Sequence, residues 1–432
     1  MVTPESRTYK LAKAAILAVL IAIIPATTPL RAQGAPAAAK VQEDPLTAQY
    51  NKTMGEIDKK QFPAALKNLE DLEKKVANMG PAMQATVCFH LARTYYLMKD
   101  WVKADAELNT FLTKYPEGTG RIIDENDNMR GVAQLTLVEV YANQSKWDPA
   151  LDLLKMLRTN PLVQPKDRVN AYTLSARIVE EKSKSGTEED KKQALGQAVG
   201  LLKQVTGGGL GTPEAREGGM RLVEVYTKLG LVKEAEQLKA EIDAKSTGSP
   251  AEIVRSNFQR IEIGDARFEA GESATELKPK EELYRQALAS YQGALRRATV
   301  NRSVTKAVEM KQVDLDKIAK DNPKPTPEAT EKIEKARAEL ESFKTIQSEF
   351  EKNTDYDAFI SYRIGLCLLE LKRPWEAFVA FRDIFENNPN FSKVSGAYYY
   401  YILALREIGR NSEAQAKCKE FLAKYPDAEE VS

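Results

Sequence analysis

The chain has 432 residues, of which 43% are hydrophobic and 29% charged, and carries a formal charge of +1. That composition is ordinary for a folded protein and excludes a disordered chain, and a near-neutral charge argues against nucleic acid as a partner. Cys88, Cys367 and Cys418 are too few and too odd in number for a disulfide framework. All three are expected as small buried hydrophobes within helical patterns. A single Cys367–Cys418 bridge stays open, because their helices should be neighbours.

Taken from the start, Arg7, Lys10 and Lys13 precede an apolar run from Ala14 to Ile24, then Pro25 and a small-residue stretch ending in Leu30-Arg31-Ala32. This order reads as a secretory signal over residues 1–32, cut near Ala32. The apolar run falls short of the roughly 20 residues that span a bilayer, so an uncleaved anchor is the weaker alternative. No cysteine stands there to take a lipid. Cleavage removes four basic residues and one acidic one, moving the formal charge from +1 to −2. No integral span is expected in the mature chain. Residues 33–46 are expected as a flexible linker.

From there the chain repeats itself. Phe111-Leu112-Thr113-Lys114-Tyr115-Pro116 recurs as Phe421-Leu422-Ala423-Lys424-Tyr425-Pro426, and each phrase follows a small residue, Ala104 or Ala414, at the same offset. In the unit from Cys88 to Pro116, Leu91, Ala92 and Tyr95 recur at helical spacing, and Lys99-Asp100 marks a turn. Trp101 then opens a second helix with the apolar stripe Ala104, Leu108 and Phe111. This is a helical hairpin: small residues let its helices approach, aromatics fill the wedge, and proline ends it.

The unit resembles the tetratricopeptide repeat, a helix-turn-helix of 34 residues. Ile364-Gly365, Leu368, Ala377, Phe381, Ile384 and Pro389 carry the same resemblance, as do Leu405, Gly409, Ala414, Phe421 and Pro426. Weaker units centre on Ala65, Ala150 and Ala235, and degenerate ones on Tyr172 to Val205 and Ile263 to Ala294. The resemblance implies an all-α, right-handed solenoid of about seven or eight hairpins, stacked because no hairpin buries its own apolar face. Residues 47–248 form its N-terminal part, 249–298 a degenerate hairpin and 353–428 a C-terminal pair.

The period breaks once. Second-helix alanines 65, 104, 150, 194 and 235 are spaced by 39 to 46 residues, but the steps to Ala287 and then Ala377 are 52 and 90. Within residues 299–352, Val304, Val308, Leu315 and Ile318 face Ile333, Ala336, Leu340, Phe343 and Phe350 at a spacing near 3.5, with Asn322-Pro323-Lys324-Pro325 as the turn. An inserted, long, charged, coiled hairpin is expected there, solvated by Lys and Glu.

Catalytic chemistry finds no purchase. His90 is the one histidine and has no metal-ligand spacing around it. Asp124-Glu125-Asn126-Asp127-Asn128 begins like a calcium loop, but Met129 stands at the glycine position and Leu135 at the bidentate Glu position. Thr206-Gly207-Gly208-Gly209-Leu210-Gly211-Thr212 lacks the Gly-Lys-Ser/Thr of a phosphate loop. No catalytic residue, metal site or cofactor is expected.

The resemblance implies a non-enzymatic scaffold whose first helices line a concave groove for protein or peptide partners. The positions carried over are Phe89, Arg93 and Tyr96, then Glu139 and Asn143, then Phe359, Tyr362, Leu366, Tyr399 and Arg406. Phe359, Tyr362 and Tyr399 form the expected contact patch, since aromatics beside an Arg are typical anchors. Phe89 and Arg93 stand where a carboxylate clamp would need Lys and Asn. The last 75 residues resemble the C-terminal repeats of envelope tetratricopeptide proteins, which implies a periplasmic location and a role in envelope complexes. The rival reading is a carbohydrate-binding or hydrolytic cleft; Trp101, Trp147 and Trp375 all open second helices, away from such a groove, and so disfavour it.

Overall fold

The computed structural model describes residues 45–115, 129–161, 163–321, 327–426 and 428. The signal segment, the linker up to residue 44, Pro116, the acidic stretch 124–128 and the turn at 322–325 lie outside these residues. Among the described residues there are eighteen helices and no strand, and none of the helices is long and apolar enough to cross a membrane. They fall into two compact units, one through Gly218 and the other from Gly219.

The first unit holds four hairpins, Pro45–Asp58 with Phe62–Val76, Pro81–Leu97 with Trp101–Lys114, Met129–Asn143 with Trp147–Thr159, and Pro165–Ser183 with Glu188–Thr206. The helix Pro213–Lys228 contains the boundary. In the second unit, Val232–Lys245 precedes Pro250–Ser273 with Leu277–Gly293, Tyr356–Glu370 with Pro374–Asn387, and Val394–Glu407 with Asn411–Lys424. Between Gly293 and Tyr356 run two 25-residue helices, Arg297–Asp321 and Pro327–Glu351.

The packing alanines stand where the spacing puts them: Ala65, Ala104, Ala150, Ala194, Ala235, Ala287, Ala377 and Ala414 are all buried. From each, the second helix buries one narrow stripe, such as Ala65-Leu69-Leu72 or Ala377-Phe381-Ile384. First helices are covered on several sides and bury far more; Tyr356–Glu370 keeps eleven residues out of solvent. This asymmetry follows from stacking, since a first helix is sandwiched and a second helix keeps one wet face.

The turn within the hairpin is a repeated device that the residue pattern does not announce. Lys60, Lys99, Ser145, Gly230, Lys372 and Gly409 all have left-handed backbones, with φ between 55° and 83°. Each stands five residues before a packing alanine. The next residue's N–H closes back across the helix end, as in Asp100 N to Tyr95 O at 3.0 Å and Arg373 N to Leu368 O at 2.8 Å. A helix ended this way reverses within about four residues, which sets the crossing at the alanine.

Helix Tyr356–Glu370 packs on Leu277–Gly293, while the two 25-residue helices pack on each other and on Pro250–Ser273. Their near end is anchored in the unit's core, where Phe350, Phe258 and Tyr356 meet edge to face at 5.2–6.3 Å. Leu315, Ala336 and Leu340 form a separate small cluster farther along, with Val308, Ile318 and Ile333 beside it. Cys88 and Cys367 are buried, and burial pushes both thiols up to about 12. The expectation of burial fails for Cys418, which is exposed on the outer side of the last helix; all three cysteines are free thiols.

Two substitutions test this geometry in opposite directions. A Cβ on Gly365 would lie 2.6 Å from Phe381 Cζ, so Gly365→Ala should cost roughly 1–3 kcal/mol by overpacking. Lys372→Gly relieves the left-handed turn and should stabilise by about 0.5–1 kcal/mol. Thermal melts of both variants read the difference, and equal melting temperatures would contradict the repeat geometry.

Candidate functional site

Within each unit, first helices of successive hairpins lie side by side: Pro81–Leu97 touches Met129–Asn143, which touches Pro165–Ser183, and Tyr356–Glu370 touches Val394–Glu407. Side chains from separate repeats therefore meet on one face.

In the first unit this face carries a polar cluster. The Tyr96 hydroxyl donates to Glu139 Oε2 across two repeats. The Asn143 amide donates to the Glu139 carbonyl at 2.8 Å. Arg93 and Arg177 act on Tyr96, and Arg177 also on Glu139. Burial raises the Glu139 carboxyl to about 6, with the Tyr96 bond and Arg177 pulling the other way. Burial and the neighbouring Glu139 charge push the Tyr96 hydroxyl up. The carry-over from the tetratricopeptide resemblance placed Tyr96 and Glu139 on this face; Arg177 was missed, because its repeat is degenerate and gave no register.

Phe89 does not share this surface. Its ring is 1% exposed and packs on His90 and Phe111 at 5.4 and 5.6 Å. Behind it, His90 Nε2 and the Tyr50 hydroxyl lie 3.0 Å apart, and burial holds the imidazole down to about 3, neutral at any ordinary pH. That is a core histidine, held through its Nε2 by Tyr50.

In the second unit the expected aromatic group divides. Phe359 and Tyr362 are each 8% exposed. Arg363 lies 5.3 Å over the Phe359 ring, and Tyr362 packs against Phe381, Phe391 and Tyr400 at 6.0 Å. Both rings are cores of the repeat stack. Tyr399 and Leu366 are half-buried and Arg406 is exposed. Tyr400 stands between Tyr362 and Tyr399, 5.3 Å from the latter. The Tyr398–Tyr401 run resolves as helical geometry requires: Tyr398 and Tyr401 turn inward, Tyr399 and Tyr400 stay partly open.

Deeper polar groups of this unit escaped the sequence reading. Glu224 accepts from Arg221 at 2.6 Å and from Arg255 at 2.9 Å, with all three nearly excluded from solvent. Asp265 accepts the Tyr291 hydroxyl at 2.6 Å and pairs with Arg363 at 2.9 Å. Such pairs are costly to desolvate and costlier to break, so they tie first helices together in one register. A charged cavity of about 320 Å³ beside Lys239, Asp243, Arg260 and Arg267 is already saturated. Lys239 and Arg260 both reach Asp243, while Arg267 holds Glu236 and the Gln286 carbonyl.

No group of three or more potential metal ligands exists among the described residues. The fold and this face are those of a helical-hairpin repeat protein. Residues 89–118 in the first unit and 397–428 in the second match the family model described as tetratricopeptide repeat. The chain thus carries tetratricopeptide repeats at these two places. A search of curated proteins finds no match. Among solved structures, the chain is similar to the kinesin light chain TPR-like repeats of Podosopora anserina, at 18% identity over 46% of this chain and 93% of that one, with a TM-score of 0.35. It is similar to the apo form of RapI at 13% identity, over 70% and 99% of the two chains, TM-score 0.38. A tetratricopeptide repeat protein of Parabacteroides merdae shares 11% identity over 83% and 98%, TM-score 0.34.

The Glu139 environment makes a pH prediction. Its folded pKa of about 6 lies above its ordinary value of 4.5, so the folded state binds the proton more tightly. The associated stability is present below about pH 4.5 and is lost as pH rises through about 6. Glu139→Gln, which keeps an acceptor for Tyr96, should exceed the parent by about 1–2 kcal/mol near neutral pH, and the two should converge in acid. Melting curves across pH check this.

Proposed function

We propose that this chain is an exported, non-enzymatic scaffold that holds protein or peptide partners on the shared faces of its first helices, in the cell envelope. The observation that carries it is the meeting of half-buried polar side chains from separate repeats in one unit, Arg93, Tyr96, Glu139 and Arg177, with the partly open Tyr399 and Tyr400 and the exposed Arg406 along one first helix, Val394–Glu407, in the other. Burying such rims against an extended segment supplies aromatic area and hydrogen bonds together. The basic and apolar order of residues 1–32 supports export, and the resemblance of the C-terminal repeats to envelope proteins supports the place of action.

Two measurements test the reading. Full-length protein expressed in its source cell should be recovered outside the cytoplasm, shortened by cleavage near Ala32; intact cytoplasmic protein would overturn export. Cross-linking pull-downs from the envelope should capture defined partners, and Tyr399→Ala with Arg406→Ala should reduce their yield several-fold. Those two residues are preferred over Tyr362, whose removal from the ring stack would cost roughly 3–5 kcal/mol. Undiminished capture by the double variant would remove the second unit's face from the proposal.

A further inference from the structure

We propose that a cavity of about 530 Å³ between the start of Met129–Asn143 and the end of Trp147–Thr159 binds a small apolar carboxamide, read through the side-chain amide of Gln134. The site goes beyond the scaffold reading and lies apart from its groove. Gln134 and Glu139 stand five residues apart on one helix, which turns them about 140° away from each other. Gln134 is nine-tenths buried, yet among the described residues its amide makes no hydrogen bond. A buried amide left unmatched is costly, so the group is either solvated by the cavity it lines or paired by what enters it.

The other polar groups of the wall are engaged elsewhere. Arg130 Nη1 donates to the carbonyls of Leu112 and Tyr115 at 3.0 and 2.7 Å and so closes the end of Trp101–Lys114. The Thr159 hydroxyl donates to the Lys155 carbonyl at 3.0 Å, and the Asn160 N–H to the Met156 carbonyl at 3.0 Å. The remaining wall is apolar: Leu157 and Val163 are buried, while Met156 is 58% exposed. Among the described residues no carboxylate lines the cavity. A primary amide offers an acceptor and two donors on adjacent atoms. Another amide satisfies both ends at once, its N–H facing the Gln134 oxygen and its oxygen facing the Gln134 amide hydrogens. A carboxylate or a ketone can accept from Gln134 but leaves its oxygen unmatched. Met156, Leu157 and Val163 then cover the ligand's hydrocarbon part, and the volume suits a free small molecule.

The test is a ligand-observed NMR titration of the full chain with 4-methylpentanamide, its isosteric methyl ketone and its carboxylate. The amide should bind saturably and about tenfold more tightly than either analogue, and acetamide, which lacks the hydrocarbon tail, about tenfold more weakly than 4-methylpentanamide. Gln134→Met, near-isosteric and apolar, should lose about tenfold for the amide yet melt no lower than the parent, because an unpaired buried amide has gone. Met156→Ala, at an exposed position that folding does not depend on, should lose about three- to fivefold. Absence of saturable amide binding, equal binding of amide and ketone, or undiminished binding by folded Gln134→Met would overturn the site. Tighter binding of the carboxylate would make Arg130 the receptor instead, and tighter binding of a blocked Ala-Ala-Leu-Ala-Ala peptide would refute the small-molecule assignment. Tyr399→Ala with Arg406→Ala should leave amide binding unchanged, so failure of this site and failure of the scaffold reading are told apart.

Discussion

Everything in this fold depends on two helices being allowed to cross at a residue no larger than alanine. Ala65, Ala104, Ala150, Ala235, Ala287 and Ala377 are wholly buried, and where a first helix comes closest, the facing residue shrinks to glycine under an aromatic ring, as Gly264 under Tyr291 and Gly365 under Phe381. The left-handed turn five residues earlier aims the second helix at that crossing. Tight crossing then leaves each hairpin with apolar surface on its outer sides, and only the next hairpin can cover it. Stacking is a consequence of hairpin geometry rather than a separate specification.

Because first helices are sandwiched while second helices keep a wet face, charged side chains on first helices end up in an environment that penalises them. The chain answers this in two ways. In the second unit the charges are neutralised internally, by Arg221 and Arg255 on Glu224 and by Arg363 and Tyr291 on Asp265. In the first unit Glu139 is held instead by the Tyr96 hydroxyl and the nearby charge of Arg177, and burial lifts its carboxyl to about 6.

The rings and tryptophans show how little exposure follows from residue type. Phe89, Phe359 and Tyr362 stand at first-helix positions that the resemblance would turn to a groove, yet each is buried, Phe89 and Tyr362 against the second-helix rings Phe111 and Phe381 and Phe359 beneath Arg363. Trp375, at the outward start of a second helix, is 58% exposed. The wedge between consecutive hairpins has a volume that must be filled, and large rings at the nearest positions fill it before any ligand can.

The residues by themselves determined the hairpin, because an alanine, an apolar stripe at helical spacing and a closing proline are local requirements repeated along one strand of text. They also marked where the period breaks before Ala377, while the shared face of Tyr96 and Glu139 came only with the resemblance to the repeat family. The rest was decided by tertiary structure. Arg177 joined Glu139, Arg255 joined Glu224 and Arg363 joined Asp265 only when stacking brought helices from different repeats together, and no spacing along the chain encodes those distances. Burial has the same origin: whether Tyr362 is a contact or a core ring depends on what Phe381, Phe391 and Tyr400 leave open around it, and that is a property of packing, which the local pattern does not contain.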